Sequence, residues 1–246
     1  MKAVVLRETG GPDRLELTEV PDPEPADGEV VVRVRAAGVN FADVLVRQGR
    51  YPQPPELPTV PGSEVAGEVD GRRVMALPRG GGYAEAIAVD EQLVVPLPDG
   101  ASFEEGAGFL LTFLTAWIPL TRQVRLGSGS VVLVHAGSGG VGSAAIQVAK
   151  HLGAQVVATA SSEGKRSVAL EQGADEVFDY DEFAGNVRAD VVLDPVGGDV
   201  FTQSFGVLRP LGTVVAIGFA AAGGSRSIPR PWSAETSAFR ASTSAG

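Results

Sequence analysis

The chain has 246 residues, 44% hydrophobic and 20% charged, enough for two modest domains or one large one. A formal net charge of -10 works against a nucleic-acid partner, because phosphate backbones are held chiefly by Lys and Arg. The absence of cysteine excludes disulfides and thiolate metal sites, and His135 and His151 alone cannot build a zinc centre, so no metal is expected.

The N-terminal stretch MKAVVLRETGG lacks the apolar segment of a signal peptide, and no apolar run reaches membrane-spanning length. These features predict a cytoplasmic protein with no membrane partner. From Met1 to about Pro98 short apolar runs alternate with turns: KAVVLRE, LELTEV, EVVVRVRAAGV, EVAGEVDG, RRVMALP, GYAEAIAV and QLVVPLP. The spacing predicts a β-rich, barrel-like domain, with PDPEPADG and YPQPPELP as loops that neither a helix nor a central strand can cross.

From Ser102 to about Thr121 a Ser N-cap, two glutamates and apolar residues at near-helical spacing predict one helix, kinked or ended by Pro119. Asp43 and Arg47, four apart, read as a helical ion pair. After Arg125 the period changes. VVLVHA, QVVATA, EVFDY, DVVLDPV and TVVAIG have strand length, and VGSAAIQVAKHLGA and GKRSVALEQGA between them read as helices. That alternation implies βαβ units around a buried parallel sheet, an α/β arrangement. The stretch from Ala220 onward has no hydrophobic period and is expected to be loosely ordered.

VVLVHA runs into Gly137, Ser138, Gly139, Gly140, Val141 and Gly142, a Gly-x-Gly-x-x-Gly pattern with the strand before it and the helix after it that a dinucleotide site needs. The first glycine is expected to permit the tight turn, the second to let the backbone approach a pyrophosphate, and the third to let helix and strand pack closely. The helix N-terminus then offers N–H groups and positive potential to phosphate. A packing turn without a ligand is the bland alternative.

At the end of QVVATA, about twenty residues on, an acidic residue would bind the 2′-hydroxyl of NAD; Ser161 and Ser162 stand there, with Lys165 just beyond. Hydroxyls and a cation suit a 2′-phosphate, so the pattern favours NADP over NAD. Glu163 works against this unless it points to solvent.

With these motifs in place, the chain from Met1 to about Phe219 resembles the zinc-free quinone oxidoreductase (zeta-crystallin-like) branch of the medium-chain dehydrogenase/reductase superfamily. AAGVNFADVLVRQGRYP resembles the signature near the branch's substrate cleft, and VPGSEVAGEV the turn after it, where zinc-dependent relatives carry a metal-binding His-Glu pair. Ser63 stands in place of that histidine. The resemblance implies a GroES-like barrel domain over residues 1–115, a doubly wound Rossmann domain over 116–225 and an irregular tail over 226–246. It also implies NADPH-dependent hydride transfer to a quinone or α,β-unsaturated carbonyl held between the domains.

By the same resemblance Asn40, Tyr51 and Thr115 are the catalytic candidates: Tyr51 lines the cleft beside the nicotinamide and Thr115 contacts its side. Asn40 reads equally as a structural hydrogen-bonder fixing its loop. Tyr180 resembles the tyrosine that covers the adenosine 2′-phosphate, with a half-buried structural tyrosine as the alternative. The strand ends at DPVGG (Asp194–Gly198) and at Gly218 and Phe219 lie where ligands sit in open α/β sheets.

Relatives continue past the equivalent of Phe219 with a sixth sheet strand, through which they form homodimers, and a return into the first domain. This chain shows neither pattern, which predicts a five-stranded sheet in the order 3-2-1-4-5 with a bare edge and puts the dimer in doubt. SIPR follows the family to Arg230, whereas PWSAETSAFRASTSAG departs from it. A reading shifted by two bases from Pro231 can give VERRNVRVPGVDFGG, family-like, so a frameshift is one expectation. A nucleotide binder without turnover and an enoyl reductase-like enzyme are the alternative functions.

Overall fold

The computed structural model describes residues 1–220 and 237–240. The chain forms two compact units, Met1–Leu111 and Thr112–Gly246. In the first, β1 (Lys2–Leu6) and β2 (Leu15–Glu19) pair as an antiparallel ribbon. β3 (Glu29–Ala37), β4 (Val65–Val69), β5 (Arg72–Ala76), β6 (Ala86–Asp90) and β7 (Val94–Pro96) make an antiparallel sheet in the order β6-β3-β4-β5-β7. All seven apolar runs read from the sequence become strands of this unit.

Alternation along those strands separates two faces. Val32, Val65, Val69, Val74, Ala76, Ile87 and Val89 pack together on one face, while Ala66 and Met75 pack against Leu97 and Ala107 on the other. Ala107 ends α2 (Phe103–Ala107), which begins with the expected cap: the Ser102 hydroxyl accepts the Glu105 N–H at 3.1 Å and the Glu105 carboxylate takes the Ser102 N–H at 2.7 Å. The short helix α1 (Phe41–Arg47) follows β3.

The single helix expected over Ser102–Thr121 is corrected to two. α2 stops at Gly108, and α3 (Leu110–Ile118) starts two residues later, running into a π-helical turn over Pro119–Gln123. The cause is tertiary, since the Glu64 carboxylate accepts the Leu111 N–H at 2.9 Å and so supplies a new helix start from another part of the chain. Pro119 acts as expected, at the point where the α-helix gives way.

In the second unit β8 (Val131–Val134), β9 (Gln155–Thr159), β10 (Glu176–Phe178), β11 (Ala189–Asp194) and β12 (Leu208–Ala216) are parallel in the order β10-β9-β8-β11-β12, the order expected. Helices α4 (Gly140–His151), α5 (Glu163–Glu171), α6 (Phe183–Asn186) and α7 (Gly198–Ser204) connect them. Val132, Val134, Val156, Ala158, Val191 and Leu193 face a cluster containing Ala145, Ile146 and Ala149 of α4. Val131, Leu133, Val157, Val192 and Val214 face Phe183 and Val207 on the opposite side. Burial on both faces is why these strands read as continuous apolar runs.

The bare edge is corrected. Ser237–Arg240, expected to be irregular, forms a strand, β13, antiparallel to Thr213–Ala216 of β12. No sixth parallel strand occurs among the described residues. The break after Arg230 and the shifted reading from Pro231 fall largely on residues outside the described ones. Among the described residues no helix is long and apolar enough to cross a membrane.

Candidate functional site

In the second unit β8 ends at Val134, and the chain turns through Ala136 into the glycine loop and α4, whose N-cap is Gly139. The sequence misplaced the turn's strain. Ala136, not a glycine, takes the left-handed conformation (φ 52°). Gly137 is required by packing, since a Cβ there would lie 2.8 Å from the Ala158 Cβ and 3.1 Å from the Ala169 Cβ. Gly142 has the close approach expected, because a Cβ would sit 2.1 Å from the Ala136 carbonyl oxygen. Gly139 and Gly140 stay exposed at the helix start, with Ser138 and Val141 half-buried beside them. Unpaired N–H groups of a first helical turn next to a side-chain-free backbone form an anion-accepting surface.

At the end of β9, Ser162 caps α5 by accepting the Lys165 N–H at 3.4 Å, and the Lys165 ammonium donates to the Ser161 hydroxyl at 3.3 Å. The structure thus brings Ser161, Ser162 and Lys165 together at an exposed corner. Glu163 is exposed in the first turn of α5, where a negative charge suits the helix dipole. Arg166, which the sequence reading missed, forms an ion pair with Asp179 at 2.9 Å and so neutralises the acid next to Tyr180. Its signal was its place one residue after Lys165, but the pairing with Asp179 joins elements 13 residues apart.

Tyr180 is half-buried, its ring stacked on His135 at 6.3 Å between centroids. Burial pushes the phenol above its ordinary range, partly opposed by hydrogen bonding to the Ala136 backbone. Behind it lies a polar chain that the sequence did not show. Ser204 donates its hydroxyl to the Val200 carbonyl at 2.7 Å, so toward His135 it can only accept, and Nε2 carries the proton across 2.9 Å. His135 Nδ1 is therefore the acceptor of the Thr159 hydroxyl, also at 2.9 Å. Desolvation pushes the fully buried imidazole down to about 3, so it is neutral.

The ends of β11 and β12 come together. Gly197, at φ 75°, lies where a Cβ would be 3.1 Å from the Phe219 Cα, and a Cβ on Gly218 would lie 2.7 Å from the Pro195 carbonyl oxygen. Asp194 Oδ1 accepts the N–H groups of Val196 and Gly197 at 2.7 and 3.0 Å. Thr115 is half-buried on α3 of this unit.

In the first unit the loop before α1 holds Asn40 between two buried carboxylates. Asp43 Oδ2 accepts the Asn40 backbone N–H at 2.8 Å, and Glu64 Oε2 accepts from the Asn40 side-chain amide at 3.1 Å. Burial, the dominant influence, raises both carboxyls above their ordinary range. The expected Asp43–Arg47 ion pair is not formed. Asp43 turns inward to cap α1 and to receive the Tyr83 hydroxyl at 2.9 Å, whereas Arg47 donates to the Gly10 carbonyl. Helical spacing alone could not tell an inward from an outward carboxylate. Tyr51 lies exposed in the loop after α1. Glu64 was not among the candidates, although it adjoins Ser63 in the turn the sequence singled out.

Residues 26–80 match the alcohol dehydrogenase GroES-like domain family, and residues 140–243 match the zinc-binding dehydrogenase family. The second match extends past Arg230, the limit that the sequence reading set. The chain is 35% identical over 241 residues to the rat (Rattus norvegicus) synaptic vesicle membrane protein VAT-1 homolog, covering 89% of this chain and 60% of that protein. It therefore spans about three fifths of the length of that relative. Human (Homo sapiens) quinone oxidoreductase is 32% identical over 240 residues, covering 89% of this chain and 73% of the relative.

Among solved structures, that of the quinone oxidoreductase from Thermus thermophilus, determined also in complex with NADPH, superposes with a TM-score of 0.83 at 45% identity. The superposition covers 88% of this chain and 74% of that one. Two units with these folds, the glycine loop between β8 and α4, and relatives of this identity and coverage together establish that the chain belongs to the medium-chain dehydrogenase/reductase superfamily, with quinone oxidoreductases among its homologues.

Proposed function

We propose that this protein is an NADPH-dependent oxidoreductase that reduces a small quinone or α,β-unsaturated carbonyl without zinc. The observation that carries the reading is the corner at the end of β9, where Ser161, Ser162 and Lys165 gather and Arg166 holds Asp179 in an ion pair. A dianionic 2′-phosphate is favoured there over a bare ribose hydroxyl, for which an acidic partner would be needed. The Thermus thermophilus quinone oxidoreductase, with its NADPH complex, supports the same cofactor.

When bound, the nicotinamide supplies the hydride. The residues of this chain bind and orient. The first turn of α4 meets the pyrophosphate through backbone N–H groups, Lys165 and the two serines take the 2′-phosphate, and Tyr180 lies against it on this reading. Gly218 and Phe219, at the end of β12, border the same nucleotide. Asn40, Tyr51 and Thr115 are the proposed catalytic residues, meeting the acceptor and the nicotinamide and stabilising charge that develops on the acceptor oxygen.

The donor set at the position of the zinc ligands supports a zinc-free mechanism. Ser63 replaces a histidine, and the Glu64 oxygens are engaged by Asn40 and Leu111. The chain has no cysteine, and both ring nitrogens of His135 are bound to Thr159 and Ser204.

Fluorescence titration with NADPH and NADH, followed by loss of NADPH absorbance on adding a simple quinone, tests the reading. NADPH-selective binding with turnover is the expected result. Binding without turnover replaces it with a nucleotide binder, and no binding removes the cofactor assignment.

A further inference from the structure

Glu64 is fully buried in the first unit and belongs to no part of the nucleotide site. Its Oε1 accepts the Leu111 N–H at 2.9 Å, at the start of α3, which leaves Oε2 to face Asn40. The approach is tight. Gly38 lies directly over the carboxylate, and a Cβ there would be 2.8 Å from Oε2 and 2.1 Å from the Ala107 carbonyl oxygen. The Asn40 backbone is held separately by Asp43, whose Oδ2 accepts its N–H at 2.8 Å.

A carboxylate only accepts hydrogen bonds, whereas a carboxamide presents a donor at one end and an acceptor at the other. With Oε1 committed to a helix start, Glu64 selects the NH2 end of Asn40 and leaves Oδ1 on the other side, at the N-terminal turn of α1, where the capping box of Asn40 and Asp43 favours the same orientation of the amide.

We propose that Glu64 is a positioning residue that sets which end of the Asn40 amide is presented for the reaction, an inference that rests on the reading of Asn40 as a catalytic group. Reversing the amide exchanges an acceptor for a donor at the presented position and leaves the backbone unchanged. Glu64 thus acts on turnover through Asn40, without touching substrate.

Reciprocal exchange tests this. In Glu64→Gln the introduced amide keeps an oxygen for Leu111 and turns its NH2 group toward Asn40, which must rotate to offer Oδ1. In Asn40→Asp two carboxylates face each other. In the double variant Asn40→Asp/Glu64→Gln one donor again meets one acceptor with the polarity of the pair exchanged, the total charge is that of the wild type, and an oxygen is again presented.

The expected result is a kcat lower by about tenfold or more in each single variant, with the KM for quinone changed far less, and recovery of most of that loss in the double variant. The Asn40 side-chain amide protons, assigned in a nitrogen-proton correlation spectrum by their disappearance in Asn40→Asp, should move upfield in Glu64→Gln as the bond to a carboxylate is lost. NADPH binding, measured by fluorescence, should persist in all three and reports that each variant is folded.

An unmoved Asn40 amide signal in Glu64→Gln, or a folded, NADPH-binding double variant no more active than the single ones, overturns the inference. If the wild type itself neither binds NADPH nor reduces quinone, the functional reading has failed, and the amide signal alone still decides whether Glu64 orients Asn40.

Discussion

The Tyr83 hydroxyl donates to Asp43 Oδ2 at 2.9 Å, joining the loop before β6 to the cap of α1. Asp43 is buried, with its carboxyl raised by desolvation, so each donor it receives offsets part of the cost of keeping it charged. Tyr83→Phe removes one donor and adds nothing in its place. Unfolding in urea should show a loss of about 1–3 kcal/mol. A change within a few tenths would mean that the bond contributes nothing net.

His135 makes stability depend on pH with a definite sign. Its folded pKa, about 3, lies below the ordinary value of 6.5, so between these limits the unfolded chain takes up a proton that the folded chain refuses. The contribution is present above pH 6.5 and is lost as the pH falls toward 3, with a slope approaching about 1.4 kcal/mol per pH unit. His135→Gln should therefore show a flatter stability curve than the wild type across this window. The carboxyls of Asp43, Glu64 and Asp194, all raised by burial and so opposite in sign, occur in both proteins and cancel in the difference. Parallel curves would show that His135 is not buried as a neutral ring.

On the proposed cofactor, Lys165→Ala should weaken NADPH about tenfold to a hundredfold while leaving NADH nearly unchanged, because only the 2′-phosphate meets the ammonium. Arg166→Ala should act in the same direction, since it leaves the Asp179 charge uncompensated near that corner. Fluorescence titration with both nucleotides measures the ratio. Equal losses for the two would assign these cations to general attraction and not to the phosphate.

Leu211 sits at φ 66° and is largely exposed, in the stretch of β12 that bulges between the pairings of Leu208 with Ala189 and Thr213 with Val191. A left-handed leucine costs about 1–2 kcal/mol, which exceeds the unfolded-state entropy that glycine adds. Leu211→Gly should raise stability by about 0.5–1 kcal/mol, read as a higher melting temperature. A lower melting temperature would refute the strain argument.

The strands up to Ala216 and the place of the glycine loop were legible in the sequence, because burial on one or two faces writes a period of two or a continuous apolar run, whereas the order of the parallel sheet came with the family resemblance and the strand at Ser237–Arg240 was not foreseen. Ser102 and Glu105 likewise announced their cap, three residues apart. What the sequence misjudged depends on partners distant along the chain. The inward turn of Asp43 needs Tyr83, 40 residues away, and the break between α2 and α3 needs Glu64, 47 residues from Leu111.

Residue spacing along the chain therefore determined the layers, the connections and the identity of the loop that can receive a nucleotide. The tertiary structure alone decided where strain falls, at Ala136 in place of a glycine, and which buried polar groups are joined, from Thr159 through His135 to Ser204. The physical reason is that periodicity records whether a side chain faces water or the core. Which donor meets which acceptor inside that core is set only when distant segments pack.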